Sequence, residues 1–308
     1  MFDDRRFYRP MKGKLLRQGV LETDRGCPYT CAYCNTYGQE LNYKINNNSK
    51  YFRLRDLGRV HDQLKILVNK YKVEFIYMAA EVLFAMPKEH RKEFVKMYSR
   101  FKIPFFCQNR AEVINEETVH DLETMNCHTC SLGLEHGNDE FRKVMLNRRV
   151  TNDTYIRALK CFKNSKITVS VNNIIGFPDE TEEMIKSTIK LNRELGMTSS
   201  GVNVFYPYKG TPLGDHCFNN DLVDLDKFNN FSNERRESSL IFSEEHHEMI
   251  NRYYRNWDFL IHPIYTYFGL RVRYLKYRDI ILKKLGIYEI ARDVYRSQKR
   301  WFRPGRAS

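Results

Sequence analysis

Three of the eight cysteines in this 308-residue chain lie close together near its start, as Cys27, Cys31 and Cys34 in a Cys-x3-Cys-x2-Cys pattern. Three thiolates on one tight loop can bind three irons of a cubane cluster and leave the fourth iron without a protein ligand. An open metal position is typical of catalytic sites, whereas structural metal sites are normally closed. The alternatives are a zinc site or a chance grouping, but zinc motifs usually pair their ligands with a fourth Cys or His at a set distance. Eight cysteines are also too few for a secreted disulfide scaffold.

Short apolar runs rich in Val, Ile, Phe and Tyr alternate with helical patterns over the first two thirds of the chain. Such runs are typical of buried parallel strands, which we predict at residues 19–23, 73–80, 104–107, 130–135, 168–176 and 201–206. Helices are predicted between them, at residues 57–71, 88–101, 116–125, 152–162 and 180–195. This α/β alternation indicates right-handed βαβ units, in either an open doubly wound sheet or a partial barrel. Both place the active site at the carboxyl ends of the strands, and the cysteines follow the first strand.

The cysteine motif, with Tyr33 directly before its third cysteine, resembles the signature of the radical S-adenosylmethionine (SAM) superfamily. The resemblance implies a partial (βα)6 TIM-like barrel over residues 15–215. It also implies a [4Fe–4S] cluster on the three cysteines, whose open iron chelates SAM. Cleavage of SAM would give a 5′-deoxyadenosyl radical that abstracts hydrogen from a substrate.

Further motifs in the order of that family imply residues that contact SAM. Met78-Ala79-Ala80-Glu81 resembles its Gly-Gly-Glu element with alanines in place of both glycines, and Glu81 would then bind the methionyl ammonium. The remaining assignments are Glu135 for the ribose hydroxyls, Arg148 for the SAM carboxylate, Asn173 and Gly176 in the adenine element of the fifth strand, and Tyr206 in the sixth strand beside adenine. Each alone would more often be a paired or exposed side chain, or a simple strand end. Their position at the ends of successive strands favours a shared site.

The nearest resemblance within the superfamily is to the cobalamin-binding enzymes, and it covers residues 5–215. Those enzymes carry an amino-terminal domain for the corrinoid, whereas 26 residues precede Cys27 here and no histidine lies in an Asp-x-His-x-x-Gly pattern. We therefore expect cobalamin only if another chain or a missing domain supplies it. The resemblance does not distinguish between two reactions for this chain, methyl transfer and a simple rearrangement that begins with hydrogen abstraction.

The other five cysteines carry weaker signals. Cys127 and Cys130 form a Cys-x2-Cys pair that could help to bind a second cluster, although no matching second pair follows. Cys107, Cys161 and Cys217 are expected to be small buried hydrophobic residues.

The positive charge of the chain is concentrated at its carboxyl end. The formal net charge is +13, and residues 251–308 contain 14 Lys and Arg against 4 Asp and Glu. We predict three parts: a linker-like segment at 1–14, the barrel at 15–215, and a basic, aromatic-rich helical extension at 216–308. This extension could pack on the barrel, contact an anionic membrane surface, or bind nucleic acid, the least favoured of the three.

The amino terminus lacks the apolar run of a signal peptide, and no stretch approaches the roughly 18–20 apolar residues of a spanning helix. We therefore expect a cytoplasmic protein, with peripheral membrane contact as an option. The expected function is radical SAM chemistry for methylation or C–H functionalisation of a small-molecule or lipid-type substrate, with a reductant such as flavodoxin or ferredoxin. The alternatives are a non-enzymatic iron–sulfur or zinc protein and a tRNA-modifying radical SAM enzyme.

Overall fold

The computed structural model describes residues 8–11, 14–47, 51–197, 200–229, 235–262, 277–278 and 280–287. Its centre is a seven-stranded sheet that curls into a half-barrel. Nine strands are described in chain order: β1 Tyr8–Met11, β2 Lys14–Leu21, β3 Asp24–Arg25, β4 Arg53–Leu54, β5 Phe75–Met78, β6 Phe105–Asn109, β7 Cys127–Glu135, β8 Thr168–Ile175 and β9 Gly201–Val204. The sheet order is β1-β2-β5-β6-β7-β8-β9, and β3 pairs with β4 in a separate two-stranded ribbon.

All neighbouring strands from β2 to β9 in the large sheet are parallel, and only β1 is antiparallel to its neighbour. The six predicted strands correspond to these six parallel strands. Because every crossover runs through a helix, their carboxyl ends meet at one edge. The α/β partial barrel predicted from the sequence is confirmed.

The helices in the described residues are α1 Asn35–Asn47, α2 Leu57–Asn69, α3 Lys88–Tyr98, α4 Glu116–Thr124, α5 Asp139–Val144, α6 Asn152–Cys161, α7 Glu182–Glu194, α8 Pro212–Asn219, α9 Leu225–Phe228, α10 Glu244–Arg255 and α11 Trp257–Ile261. Several begin at a polar side chain that accepts a backbone N–H, such as Thr151 before α6 and Thr181 before α7. Asn115 and Thr118 form a reciprocal capping box at the start of α4. Such caps satisfy donors that the first turn leaves free, so the helix starts are fixed locally. All five predicted helices are present.

The main hydrophobic core lies between the parallel strands and the helices that cover them. Ile76 and Met78 of β5 are buried with Leu64 of α2 and Phe94 of α3. Side chains alternate across a strand, so the intervening Tyr77 points to the other face of the sheet. That face lines the interior of the half-barrel and leads up to the cysteine loop.

Two features at the amino end were not expected from the sequence. Residues 8–11, within the segment predicted to be linker-like, form the antiparallel strand β1. Helix α1 begins directly after Cys34, although its polar sequence has a weak apolar pattern. Gly38 in this helix packs tightly, because a Cβ there would lie 2.9 Å from the carbonyl oxygen of Gly210. Tertiary contact therefore supports a helix that local preference does not predict.

The carboxyl-terminal region starts with the two helices α10 and α11. Ile250, Trp257 and Ile261 pack on Ile175 and Ile185 in a separate buried cluster. The extension predicted at residues 216–308 thus contains helices as far as α11, and most of the basic tail beyond α11 lies outside the described residues. Within the described part, no helix is both long and apolar enough to span a bilayer.

Candidate functional site

A cavity of about 490 Å³ opens at the carboxyl ends of the parallel strands. The predicted site residues that line it are Cys27, Cys31, Tyr33, Cys34, Glu81, Glu135, Arg148 and Tyr206. They come from positions up to 179 residues apart in the chain, between Cys27 and Tyr206. The strand-end argument made from the sequence therefore places the motifs together correctly.

The cysteine loop is held to the half-barrel by backbone hydrogen bonds. The Ala32 amide donates to the carbonyl of Leu146 at 3.0 Å, and the Leu213 amide donates to the carbonyl of Ala32 at 2.9 Å. The loop closes on itself where the Cys34 amide donates to the Cys31 carbonyl at 3.1 Å. These contacts turn all three thiols toward the cavity.

The three cysteines of the loop all line the cavity. No group of three or more His, Cys, Asp or Glu side chains in the described residues is arranged to bind a single metal ion. A cubane cluster does not require three ligands around one ion, because each cysteine binds its own iron.

The local electrostatics disfavour free thiolates. Burial raises the pKa of the Cys27 thiol to about 12, and burial also raises the pKa of the Cys34 thiol. Metal coordination requires the thiolate, so loading this loop with iron must release protons. Cations are already present: Arg110 Nη1 donates to Cys31 Sγ at 3.1 Å, and Arg148 Nη1 lies 3.8 Å from the same sulfur.

Glu135 ends β7 in a left-handed backbone conformation, with φ of 66°. Non-glycine residues rarely adopt it, and such strain is often concentrated at functional sites. Burial raises the pKa of the Glu135 carboxyl, although the positive charge of Arg148 opposes that rise. Arg148 is itself buried and donates to the carbonyl of Gly133 and the hydroxyl of Tyr155. A carboxylate and a guanidinium are thus held side by side in the cavity wall.

Glu81 lies at the exposed rim of the cavity, three residues beyond β5. The loop that carries it is fixed to the next strand by two hydrogen bonds. The Leu83 amide donates to the Gln108 carbonyl at 2.9 Å, and the Phe84 amide donates to Asn109 Oδ1 at 3.0 Å. Glu81 is therefore positioned by the neighbouring strand and keeps its carboxylate free to face the cavity.

The adenine element predicted at β8 is divided between two faces of the sheet. Asn173 is fully buried on the helix side, where its amide donates to Ser200 Oγ at 3.1 Å and accepts from Asn192 at 2.9 Å. Asn172 lines the cavity instead. This geometry does not support a direct contact between the Asn173 side chain and a cofactor.

Gly176 is not among the cavity-lining residues and has φ of +79°. Its amide and that of Phe177 donate to Glu180 Oε2, while Glu180 Oε1 lies 3.1 Å from His136 Nε2. His136 and Glu180 are both buried. Gly176 thus shapes the turn after β8, and a buried carboxylate holds that turn in place.

The remaining cysteines lie on β6 and β7 or in helices. Cys107 and Cys127 bring their sulfurs to 3.9 Å, and Asn109 Nδ2 lies 3.7 Å from the sulfurs of Cys107 and Cys130. All three are buried, but the described residues form no second metal-binding group. Cys217 is buried as expected, whereas Cys161 is partly exposed on α6.

Arg110 and Asn172 are among the cavity residues that were not predicted from the sequence. Arg110 directly follows β6, so the strand-end rule that found Glu81 could also have found it. Asn172 lies beside the predicted Asn173, and the sequence alone did not indicate which asparagine faces inward.

Comparison with known proteins decides the family. The profile described as the Radical SAM superfamily matches residues 21–191, more than half of the chain. The chain belongs to the radical SAM superfamily. Membership implies a [4Fe–4S] cluster and SAM as cofactors, and the residues present fit them. Three thiols of the soft type that iron–sulfur clusters require line a cavity that also presents acidic and basic side chains.

The most similar curated relatives include two larger radical SAM proteins. An uncharacterized methyltransferase of Pyrococcus horikoshii is 28% identical over 67% of this chain and 43% of the relative. The anaerobic magnesium-protoporphyrin IX monomethyl ester cyclase of Rubrivivax gelatinosus is 24% identical over 67% of this chain and 36% of the relative. The chain therefore spans about two fifths of the length of these relatives.

A solved structure shares the half-barrel. The radical SAM methyltransferase TsrM of Kitasatospora setae, with cobalamin and a [4Fe–4S] cluster bound, matches with a TM-score of 0.55. The match covers 67% of this chain and 40% of TsrM, at 18% identity. At that identity the likeness establishes the fold, and residue roles need separate arguments.

Proposed function

We propose that this chain is the catalytic half-barrel of a radical SAM enzyme, with its [4Fe–4S] cluster on Cys27, Cys31 and Cys34. The observation that carries the proposal is that these thiols line the same cavity as Glu135 and Arg148. When bound, the cluster and SAM supply one-electron cleavage of SAM to a 5′-deoxyadenosyl radical.

Different side chains around the cavity would bind different groups of SAM. We assign Glu81 to the methionyl ammonium, since it is an exposed carboxylate near the cysteine loop. Arg148 is assigned to the SAM carboxylate and Glu135 to the ribose hydroxyls, because their charges and hydrogen-bonding capacity match those groups. Tyr206, buried just beyond the sixth parallel strand, would pack on adenine, and Tyr33 lines the cavity beside the cysteines.

The reaction we propose is methylation or another C–H functionalisation of a small-molecule or lipid-type substrate. The naming of one relative as a methyltransferase supports the first option. Any cobalamin that takes part would be supplied by another chain or domain. A reductant such as flavodoxin or ferredoxin is required to supply the electron.

We further propose that the chain works in the cytoplasm with its tail close to an anionic membrane surface. In the described part of the tail, Ile281 and Leu285 are 55% and 64% exposed and lie beside Lys283 and Lys284. Exposed apolar side chains among lysines are typical of interfacial segments. A lipid-type substrate would be consistent with that location.

The test is anaerobic reconstitution of the full chain with iron and sulfide, followed by mass spectrometry for 5′-deoxyadenosine after addition of SAM and dithionite. We expect the wild-type protein to form 5′-deoxyadenosine. The variants Cys27→Ser, Cys31→Ser and Cys34→Ser should bind less iron than the wild type and form no 5′-deoxyadenosine. Cys161→Ser is the matched control, because this thiol lies on a helix away from the cavity. Wild-type protein that stays colourless after reconstitution would contradict the proposal.

Measurements on the same reconstituted protein distinguish two alternative functions from the proposed one. A non-enzymatic metal protein would take up its cluster or zinc without binding SAM in calorimetry. A tRNA-modifying enzyme would bind tRNA tightly, with an affinity that falls steeply as salt rises.

A further inference from the structure

Arg110 is a buried arginine that the assignments above leave without a role. It directly follows β6 and is 7% exposed. Its Nη1 donates to Cys31 Sγ at 3.1 Å, which is a short contact for a sulfur acceptor. Cys31 lies 79 residues earlier in the chain and is the most buried of the three loop cysteines.

The guanidinium of Arg110 is fixed on its other sides. Its central carbon lies 3.9 Å from the ring centroid of Tyr29, in a cation–π contact. Its Nε donates to Glu112 Oε1 at 3.1 Å, and a second nitrogen reaches the same oxygen. The pKa of Glu112 is lowered, because the hydrogen bond and charge of Arg110 outweigh the opposing effect of burial. The nitrogen nearest Cys31 is therefore aimed at the sulfur by Glu112, which lies outside the cysteine loop, and by the ring of Tyr29 within the loop.

Arg148 also approaches Cys31, but less closely. Its Nη1 is 3.8 Å from the sulfur, and its other nitrogen is engaged by Gly133 and Tyr155. Of these two guanidinium groups near Cys31, that of Arg110 makes the shorter contact.

We infer that Arg110 is a positioning residue that raises the reduction potential of the cluster by donating a charged hydrogen bond to the Cys31 ligand. This inference rests on the proposed function. One-electron reduction adds negative charge to the cluster and its sulfur ligands. Hydrogen bonds to those sulfurs and nearby positive charge stabilise the more negative state, and both are among the factors that set such potentials. Arg110 would thus make electron entry easier before SAM is cleaved.

The experiment is a redox titration of the reconstituted full chain in the absence of SAM, monitored by the electron paramagnetic resonance signal of the reduced cluster. In Arg110→Gln we expect the equilibrium for reduction to fall about tenfold, which lowers the midpoint by about 59 mV for one electron. Arg110→Lys keeps the charge but loses the planar fork, so its midpoint should lie between those of R110Q and the wild type. Arg91→Gln is the matched control, because Arg91 is a buried arginine paired with Glu117 and Asp121 on the helix layer. Its midpoint should equal that of the wild type.

A wild-type midpoint in R110Q, at full cluster content, overturns the inference. If R110Q takes up no cluster, R110K decides alone, and an unchanged midpoint there has the same meaning. Weaker SAM binding by R110Q at an unchanged midpoint would make Arg110 a SAM ligand and also overturn the inference. These outcomes differ from failure of the proposed function, in which the wild-type chain itself takes up no cluster.

Discussion

Gly133 offers a way to displace Glu135 without altering Glu135 itself. A Cβ on Gly133 would lie 2.2 Å from Glu135 Oε1, whereas its next contact, Arg148 Nη2, is at 3.4 Å. In Gly133→Ala the carboxylate must therefore move by roughly 1 Å or more to reach an ordinary contact distance. Gly133 lies in β7 and its φ is outside the left-handed region, so alanine fits there without backbone strain.

The expected consequence is weaker SAM binding. A hydrogen bond to a charged group contributes about 1.5–3 kcal/mol, so losing the proposed contact between Glu135 and ribose should weaken SAM binding by roughly 10- to 150-fold. Isothermal calorimetry on the reconstituted protein measures this directly. Cluster content should stay at the wild-type level, because the cysteine loop does not touch Gly133.

A double-mutant cycle with Glu135→Ala tests the route of the effect. In the Glu135→Ala background the clashing oxygen is gone, so adding Gly133→Ala should cost little further affinity. If the losses of SAM affinity in Gly133→Ala and Glu135→Ala add in the double variant, then Gly133→Ala does not act by displacing Glu135. If Gly133→Ala binds SAM as well as the wild type does, while Glu135→Ala is weakened, the steric reasoning is refuted.

Two further predictions concern stability of the apoprotein. Gly137→Ala should lower the free energy of unfolding by about 3 kcal/mol or more, because its Cβ would lie 2.4 Å from the Cα of Thr188 in α7 and backbone cannot easily give way. Chemical denaturation measures this, with the exposed Gly58→Ala as a control expected within about 1 kcal/mol of the wild type. Burial raises the pKa of Asp24 to about 7 from an ordinary 3.8, so the folded state retains a proton that the unfolded chain releases between those values. The stability from this proton is complete below about pH 4 and is lost as pH rises to about 7. Asp24→Asn should remove that dependence and stabilise the fold above pH 7 by at most about 4 kcal/mol.

Each of these has a clear contrary result. Equal unfolding free energies for Gly137→Ala and Gly58→Ala would mean that α7 does not pack on the turn after β7. A slope of stability against pH between 4 and 7 that is identical in Asp24→Asn and the wild type would mean that Asp24 titrates normally.

Much of the fold and of the site could be predicted from the sequence, because the patterns that carry them are local. Apolar runs and helical periodicity are local patterns, so six parallel strands and five helices were predicted, although β2 begins five residues earlier than predicted, at Lys14 rather than Gly19. The cysteine loop is also local, since its three thiols are fixed by a spacing of a few residues. Helix α1 was missed because its support comes from a distant contact at Gly210 rather than from its own polar sequence.

By itself, the sequence determined the positions of the parallel strands along the chain, the cysteine loop and the strand ends near which Glu81 and Glu135 lie. Only the tertiary structure decided which of Asn172 and Asn173 faces the cavity. Successive residues of β8 point to opposite faces of the sheet, and α7 buries Asn173 on one face through its hydrogen bond with Asn192. The contact of Arg110 with Cys31 was decided in the same way. It joins the end of one strand to a loop after another, and a distance across the sheet is set by folding rather than by neighbouring residues.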